Sequence, residues 1–188
     1  LDTNAVSVLT DNTYFGGTYA DLKAAAEQLV NTEICLLNKE FVIDEIQVYL
    51  ARANGANIIL LIAAILETAQ FDHLRKVAES LGMGVIAEIH NEEEWHKIGG
   101  LNCRVVGINN RNLNNFKTAL NNCNYLAQFV GKESFIIAES GIKSNLDLQI
   151  AGTYAHGFLI GTSLMQAAAS LEKINQQTYF FKACGLRT

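Results

Sequence analysis

Two glutamates and one lysine stand where apolar stretches of the sequence end. Glu88 lies among the apolar residues of GVIAEI, Glu139 directly follows FIIA, and Lys39 follows EICLL after one asparagine. A buried carboxylate without a partner is costly, so each glutamate must be paired or lie at the mouth of a site. A cationic lysine and carboxylates can transfer protons at a carbonyl group. The alternatives are a solvated lysine and structural ion pairs with Lys39 or Arg111.

Small residues follow the last two apolar stretches of the chain. Ser140 and Gly141 come after the first of them, and Gly161, Thr162 and Ser163 after the second, where a helical pattern begins. Glycine lets backbone N–H groups approach an anion closely, and a helix N-terminus adds partial positive charge. Ordinary turn glycines are the alternative, but two such loops in adjacent units favour a phosphate site.

These residues are spaced along an alternation of short β-branched runs and longer helical patterns. Such alternation predicts parallel strands joined by right-handed crossovers, and continuously apolar strands indicate a sheet covered on both faces. The predicted strands are Ala5–Leu9, Glu33–Leu37, Asn57–Leu61, Gly84–Ile89, Arg104–Asn109, Ser134–Ala138 and Gly157–Ile160. The predicted helices are Tyr19–Leu29, Ile43–Asn54, Thr68–Leu81, one capped by Asn91, one over Leu120–Phe129, one capped by Ser144 and one beginning at Ser163.

Two α/β architectures fit this order, an open doubly wound sheet and a closed barrel. No G-x-G-x-x-G sequence follows the first strand, which weakens the dinucleotide-binding alternative. A complete barrel has eight units and about 250 residues, whereas this chain has 188 residues. We therefore predict a (β/α)₈ TIM barrel truncated to about seven βα units, with its functional residues at the carboxyl ends of the strands.

Composition excludes several classes of protein. The chain has 14 lysines and arginines against 19 acidic residues, a net charge of −5, which argues against nucleic acid or an anionic membrane as partner. The longest apolar run, Ile58–Leu66, is too short to span a bilayer. Four cysteines without C-x-x-C spacing favour a reducing cytoplasm over a disulfide scaffold or zinc knuckle, and the four histidines show no metal-ligand spacing.

Six segments together form a more specific signal than any one of them. They are SVLTDNTYFGG (7–17), LLNKEFVID (36–44), GVIAEIHNEEE (84–94), VGINNRNL (106–113), IIAESGI (136–142) and GFLIGTSLM (157–165). In this order they resemble the indole-3-glycerol phosphate synthase family over nearly the whole chain. The resemblance implies a TIM barrel whose first strand here corresponds to the family's second.

The family resemblance also implies an activity and a set of site residues. The reaction is closure of the indole ring of 1-(2-carboxyphenylamino)-1-deoxyribulose 5-phosphate with loss of CO₂ and water, by a carbon–carbon lyase of tryptophan biosynthesis that needs no cofactor and no metal. Lys39 matches the general acid that protonates the substrate ketone, and Glu88 matches the glutamate assigned to proton transfer. Residues that orient the substrate are matched by Asn109, Arg111, Glu139 and Ser140. The phosphate loops are matched by Gly141, Gly161 and Thr162, and the apolar wall of the aromatic pocket by Phe41, Leu60 and Leu113.

The sequence departs from the family at both ends. The family's first βα unit, which brings a second catalytic lysine, a glutamate and a phosphate-site serine, has no counterpart here, so we expect a fragment with little activity alone. The last residues, FKACGLRT, resemble the opening strand of phosphoribosylanthranilate isomerase, with Cys184 as its catalytic cysteine. We therefore expect a synthase-like barrel over residues 1–178 and, over 179–188, the start of a fused isomerase domain or a tail.

Two other functions compete with this interpretation. One is another phosphosugar barrel enzyme, an isomerase or an aldolase, which would keep the phosphate loops but need a different acid–base set. The other is a remnant without catalytic activity that folds or binds only. A turnover assay separates the synthase from the remnant.

Overall fold

The computed structural model describes residues 3–111 and 121–168. Seven strands alternate with helices over this part of the chain, which confirms the predicted α/β order. The strands are β1 Ala5–Leu9, β2 Cys35–Lys39, β3 Ile58–Ile62, β4 Gly84–Ile89, β5 Val105–Asn109, β6 Phe135–Glu139 and β7 Gly157–Leu159. The α-helices are α1 Asn12–Phe15, α2 Tyr19–Leu29, α3 Glu45–Ala53, α4 Thr68–Ser80, α5 Glu92–Ile98, α6 Asn121–Ala127, α7 Asn145–Ala151 and α8 Thr162–Ala168. Leu113, Cys184 and the predicted segment 179–188 lie outside the described residues.

The chain divides into two compact units. The N-terminal unit holds Thr3–Glu88 and His96–Cys103, and the C-terminal unit holds Ile89–Trp95 and the described residues from Arg104 onward. In the N-terminal unit β1 to β4 pair in parallel and in chain order, and in the C-terminal unit β5 to β7 do the same. Parallel neighbours in sequence order are the product of repeated βα units.

Apolar side chains of the strands and the inner helix faces form the core of each unit. In the N-terminal unit Leu36, Leu61, Phe71 and Leu74 are fully buried. In the C-terminal unit Val106, Ile108 and Ala138 are buried in the same way. The continuous apolar runs therefore form strands covered by helices, as parallel sheets require.

Three predicted strands are displaced toward the C-terminus; the third covers Ile58–Ile62 instead of Asn57–Leu61, and the other two end in charged residues. The second strand covers Cys35–Lys39 instead of Glu33–Leu37, and the sixth covers Phe135–Glu139 instead of Ser134–Ala138. Backbone pairing causes the difference, because Lys39 lies in register with Leu9 and Glu139 with Asn109. Both charged residues are therefore the last residues of their strands, where the ladder fixes their backbones, instead of the first residues of loops.

Side-chain caps fix where the helices after these strands begin. Asp44 and Gln47 form a capping box at the start of α3, so this helix begins at Glu45 instead of Ile43. Ser144 and Asp147 form another at α7, and Asn91 Oδ1 accepts the Glu94 N–H at 2.9 Å in α5. The Ser144 and Asn91 caps predicted from the sequence are confirmed, and the loops that follow β2 and β6 have defined ends.

The cysteines in the described part of the chain form no disulfide, and two of them are buried. They are Cys35, which is half-buried, and Cys103 and Cys123, which are buried. Burial is the main cause that raises the pKa of Cys103 to about 11 and that of Cys123 to about 12. Both remain thiols at neutral pH and are poor nucleophiles.

Gly17 folds the loop after β1 back onto the end of that strand. A Cβ atom at this position would overlap the Leu9 carbonyl group, and the Gly17 N–H donates to Asp11 O at 2.9 Å. We expect Gly17→Ala to lower the free energy of unfolding by about 1–3 kcal/mol, since the backbone must move to admit the methyl group. Urea denaturation measures this, with Gly100→Ala as the control because nothing lies within 4 Å of a Cβ there. Equal stability of the two variants would contradict the prediction.

Candidate active site

A lysine–glutamate pair lies at the carboxyl ends of the strands in the N-terminal unit. Lys39 Nζ, at the end of β2, lies 3.4 Å from Glu88 Oε2, next to the end of β4. The lysine side chain is 28% exposed, whereas that of the glutamate is 2% exposed. A buried carboxylate thus holds a cationic group that solvent or a ligand can still reach. This geometry suits proton transfer, and it equally suits the structural ion pair considered above.

Polar groups hold the backbone and flanks of Lys39. The Thr10 N–H donates to Lys39 O at 3.3 Å, extending the pairing of β1 with β2. Thr10 Oγ1 lies 2.9 Å from Asn38 Oδ1 and 2.7 Å from Glu40 Oε2, and the Phe41 N–H donates to Glu40 Oε1 at 2.9 Å. The residues on both sides of Lys39 are therefore anchored by side-chain contacts.

An aromatic cluster lies in the segments that follow β1 and β2. The Phe41 ring is half-buried and lies 6.2 Å from the Phe15 ring in a stacked arrangement, and 6.2 Å from the Tyr14 ring in an edge arrangement. Tyr14 is 79% exposed and Phe15 53%, so the cluster offers apolar surface to a planar ligand. Leu60, in contrast, is 1% exposed in the middle of β3 and has little surface to offer.

In the C-terminal unit, Asn109 and Glu139 lie side by side at the ends of β5 and β6. The two residues are in register, and both are buried. Asn109 Oδ1 accepts the Arg111 N–H at 3.0 Å, which turns the chain at the end of β5. Arg111 Nε is buried and has no hydrogen-bond partner among the described residues. A guanidinium with a spare donor suits a carboxylate or a phosphate.

Asn110 is a residue of this cluster that the sequence analysis did not select. Its Nδ2 donates to the carbonyl oxygens of Glu139 and Ser140, at 3.1 and 3.2 Å, and its Oδ1 accepts the Cys123 N–H at 3.1 Å. The Asn110 N–H donates to Glu139 O at 2.8 Å as well. This side chain joins the ends of β5 and β6 to the start of α6. Two adjacent asparagines look alike in sequence, and only the strand register separates their roles.

The loops after β6 and β7 are connected in the same unit. Ser140 and Gly141 both have positive φ angles, 63° and 82°, and Ser163 Oγ donates to Ile142 O at 2.7 Å. Gly161 and Thr162 are exposed. The structure thus brings together Ser140, Gly141, Gly161 and Thr162 as two linked loops with accessible backbone.

Groups of metal-ligating side chains and membrane-spanning helices are both absent from the described residues. Over 3–111 and 121–168, no three His, Cys, Asp or Glu side chains gather as metal ligands would. No helix in these ranges has the length and apolar character needed to cross a membrane.

Comparison with known families gives a match over almost the entire chain. The family model for indole-3-glycerol phosphate synthase matches residues 2–176. The chain belongs to the indole-3-glycerol phosphate synthase family. The resemblance that the six sequence segments indicated is confirmed.

The curated relatives include both indole-3-glycerol phosphate synthases and longer TrpCF proteins. The tryptophan biosynthesis protein TrpCF of Vibrio cholerae is 40% identical over 185 residues, which are 97% of this chain and 39% of that protein. An indole-3-glycerol phosphate synthase of Lachnospira eligens is 38% identical over 179 residues, 92% of this chain and 66% of that protein. The chain therefore spans about two fifths of the TrpCF relatives and less than two thirds of this single enzyme.

Solved structures with a similar backbone show which fold this chain adopts. The chain matches 3-hexulose-6-phosphate synthase from Salmonella typhimurium with a TM-score of 0.72 and 12% identity, over 90% of this chain and 84% of that one. It matches KGPDC from Streptococcus mutans with a TM-score of 0.73 and 9% identity, over 98% of this chain and 87% of that one. These likenesses show the fold alone, and they confirm the TIM-barrel class. The described residues of this chain contain seven of its strands.

Proposed function

We propose that this chain supplies indole-3-glycerol phosphate synthase activity, the ring closure of 1-(2-carboxyphenylamino)-1-deoxyribulose 5-phosphate with loss of CO₂ and water. The observation that carries the proposal is the 3.4 Å pair of Lys39 and buried Glu88 at strand ends in a member of this family. Lys39 protonates the substrate's ketone oxygen as the aromatic carbon attacks. Glu88 moves protons during closure and dehydration.

The other candidate residues bind and orient the substrate in this proposal. Arg111 and Asn109 hold polar groups of the substrate, with Glu139 and Ser140 beside them at the end of β6. Phe41 and its aromatic neighbours contact the substrate's benzene ring. Leu113 takes an apolar wall position of the family, whereas Leu60, which matches another, is too buried to contact the ring. No cofactor takes part in this scheme. We also propose a cytoplasmic enzyme and, by analogy with the TrpCF relatives, a fused isomerase domain in the same polypeptide.

Turnover of the substrate by the complete polypeptide that carries this sequence tests the proposal. Product formation is followed by the fluorescence of the new indole ring. We expect the product to form faster with the polypeptide than in buffer without it. We also expect that the polypeptide does not convert 3-hexulose-6-phosphate. Turnover of a phosphosugar without the aromatic substrate would instead favour another phosphosugar enzyme, and no turnover of either would favour a remnant without catalytic activity.

Glu88→Gln separates a proton-transfer role from a structural ion pair. Glutamine keeps the shape and can still accept a hydrogen bond from Lys39, but it cannot accept a proton, so we expect kcat to fall by about 10²–10⁴-fold. Glu79→Gln is the control, because Glu79 pairs with Arg75 at 2.7 Å on the exposed face of α4. A variant that loses stability but keeps its kcat would assign Glu88 to structure.

A phosphate site in the loops after β6 and β7 has its own test. Gly161 is exposed, and nothing lies within 4 Å of a Cβ built there, so Gly161→Ala leaves the fold intact but places a methyl group beside the backbone N–H groups. We expect inorganic phosphate to shift the amide signals of Gly141, Gly161 and Thr162 in NMR spectra, and this variant to weaken binding. Gly131→Ala is the matched control. Shifts confined to other loops would contradict the site.

A further inference from the structure

Thr10, the residue that follows β1, contacts both neighbours of Lys39. It is buried, with 4% of its surface exposed. Thr10 Oγ1 donates to Glu40 Oε2 at 2.7 Å and lies 2.9 Å from Asn38 Oδ1. A hydroxyl that donates to a carboxylate makes one of the stronger hydrogen bonds in a protein. The Thr10 side chain therefore connects the end of β1 to the segment that carries Lys39.

Thr10 also holds the backbone of Lys39 itself. Its N–H donates to Lys39 O at 3.3 Å, directly after the last register pair of β1 and β2, which is Leu9 with Lys39. Any residue except proline could make this backbone bond, whereas the bond to Glu40 needs a side-chain donor. A substitution at Thr10 can therefore remove one bond and keep the other.

Glu40 extends this contact to the residue after it. Its Oε2 accepts from the Thr10 hydroxyl, and its Oε1 accepts the Phe41 N–H at 2.9 Å. Glu40 is half-buried, and a carboxylate that is bound through both oxygens keeps one orientation. The Thr10 hydroxyl thus fixes the chain on the far side of Lys39.

The C-terminal unit has the same arrangement at the corresponding strand ends. Asn110 follows β5 as Thr10 follows β1, and its N–H donates to Glu139 O at 2.8 Å. Its side chain reaches one residue further and donates to Ser140 O at 3.2 Å, as the Thr10 hydroxyl reaches Glu40. Two different side chains thus have the same task, which is to fix the charged residue that ends the next strand.

We propose that Thr10 is a positioning residue for Lys39: its hydroxyl, through Glu40, fixes the chain around the lysine so that the ammonium group stays against buried Glu88. A lysine side chain is long and flexible, and the 3.4 Å between Lys39 Nζ and Glu88 Oε2 depends on where its backbone is held. Misplacing a reacting group by about 1 Å can cost about 10²-fold in rate. This role rests on the proposed function of Lys39 as the general acid.

Kinetics of Thr10→Val in the complete polypeptide test the role. Valine keeps the shape and the backbone N–H but has no hydroxyl, so we expect kcat to fall about 10- to 100-fold with KM little changed. Thr10→Ser restores a hydroxyl and should restore most of kcat. Circular dichroism checks the fold, and Thr10→Ala makes the same test with a smaller side chain should valine not fit. An unchanged kcat in the folded variant would overturn the proposal.

Thr32→Val is the matched control for the loss of a hydroxyl. Thr32 is exposed before the start of β2, and its hydroxyl also has a partner, since it donates to Leu29 O at 2.8 Å. It lies at the amino end of β2, whereas Lys39 is the last residue of that strand. We therefore expect this variant to keep the parent's kcat.

A double variant separates positioning from general stability. If Thr10 acts through Lys39, its hydroxyl has nothing left to position in Lys39→Met, so adding Thr10→Val there should leave kcat within about twofold of the Lys39→Met value. The loss of stability that urea denaturation measures for Thr10→Val should be the same in both backgrounds. An equal fall in kcat in both backgrounds would overturn the positioning role, because it would show that Thr10 acts on kcat without Lys39.

The lysine side chain can also be followed without turnover. In NMR spectra of the complete polypeptide with isotope-labelled lysine, Thr10→Val should move the Lys39 ε-CH₂ signal toward that of exposed Lys76, and Thr10→Ser should not. A Lys39 signal that stays in place would overturn the proposal. Absence of turnover in the parent polypeptide would instead refute the proposed function of Lys39, and this spectrum would still decide whether Thr10 fixes its side chain.

Discussion

Lys39→Met lowers kcat for indole ring closure by about 10²–10⁴-fold in the complete polypeptide, with a much smaller change in KM. Methionine fills a similar volume but carries no proton, so the ketone oxygen loses the acid that stabilises it as the new bond forms. An interaction made in the transition state acts on kcat more than on substrate binding. The measurement is steady-state kinetics of indole formation on the purified variant.

The matched control for this variant is Lys76→Met. Lys76 is an exposed lysine on α4 that pairs with Asp72, and its removal is expected to leave kcat unchanged. Circular dichroism should show that both variants keep the fold. If Lys39→Met raised KM at constant kcat, Lys39 would be a binding residue and its role as general acid would be wrong.

The order of elements was predictable because each unit carries its own local signals. Apolar runs of strand length, a helix capped by Ser144 and Asp147, and the acidic first turn of α5 all stand in the sequence. Strand ends were less predictable. The apolar run before Lys39 stops at Leu37, but the backbone ladder continues for two more residues because Lys39 pairs with Leu9. Hydropathy records which side chains are buried, whereas the ladder depends on a neighbour about 30 residues away.

Some residues of the candidate site could be predicted from the sequence and others could not, for the same reason. Lys39, Glu88 and Glu139 are visible because charge at the end of an apolar run is unusual. Asn110 carries no such signal, since polar loop residues are common and its burial follows only from tertiary contacts. The supporting groups of this site therefore emerge from the structure, whereas the charged groups are already apparent in the sequence.

Asn110→Asp is expected to lower the free energy of unfolding by about 3–5 kcal/mol at neutral pH, because it leaves a buried charge without compensation. The substitution keeps the shape and the acceptor for the Cys123 N–H. It removes both donors to the carbonyl oxygens of Glu139 and Ser140, to which the Asn110 amide donates at 3.1 and 3.2 Å. Since a typical domain is stable by about 5–15 kcal/mol, the loss would be a large part of the total.

The pH dependence identifies the cause of that loss. Burial, the two facing carbonyl oxygens and nearby Glu139 should raise the pKa of the new carboxyl group in the folded state above its value in the unfolded chain. A protonated carboxyl can donate to one carbonyl, so the variant should approach the parent's stability below the unfolded-state pKa. The deficit then grows as the pH rises and is complete above the folded-state pKa. Urea denaturation between acid and neutral pH measures this, with Asn124→Asp on the exposed face of α6 as the control, expected within about 0.5 kcal/mol of the parent. A deficit that stays constant with pH would mean that the new charge is not its cause, and would contradict the prediction.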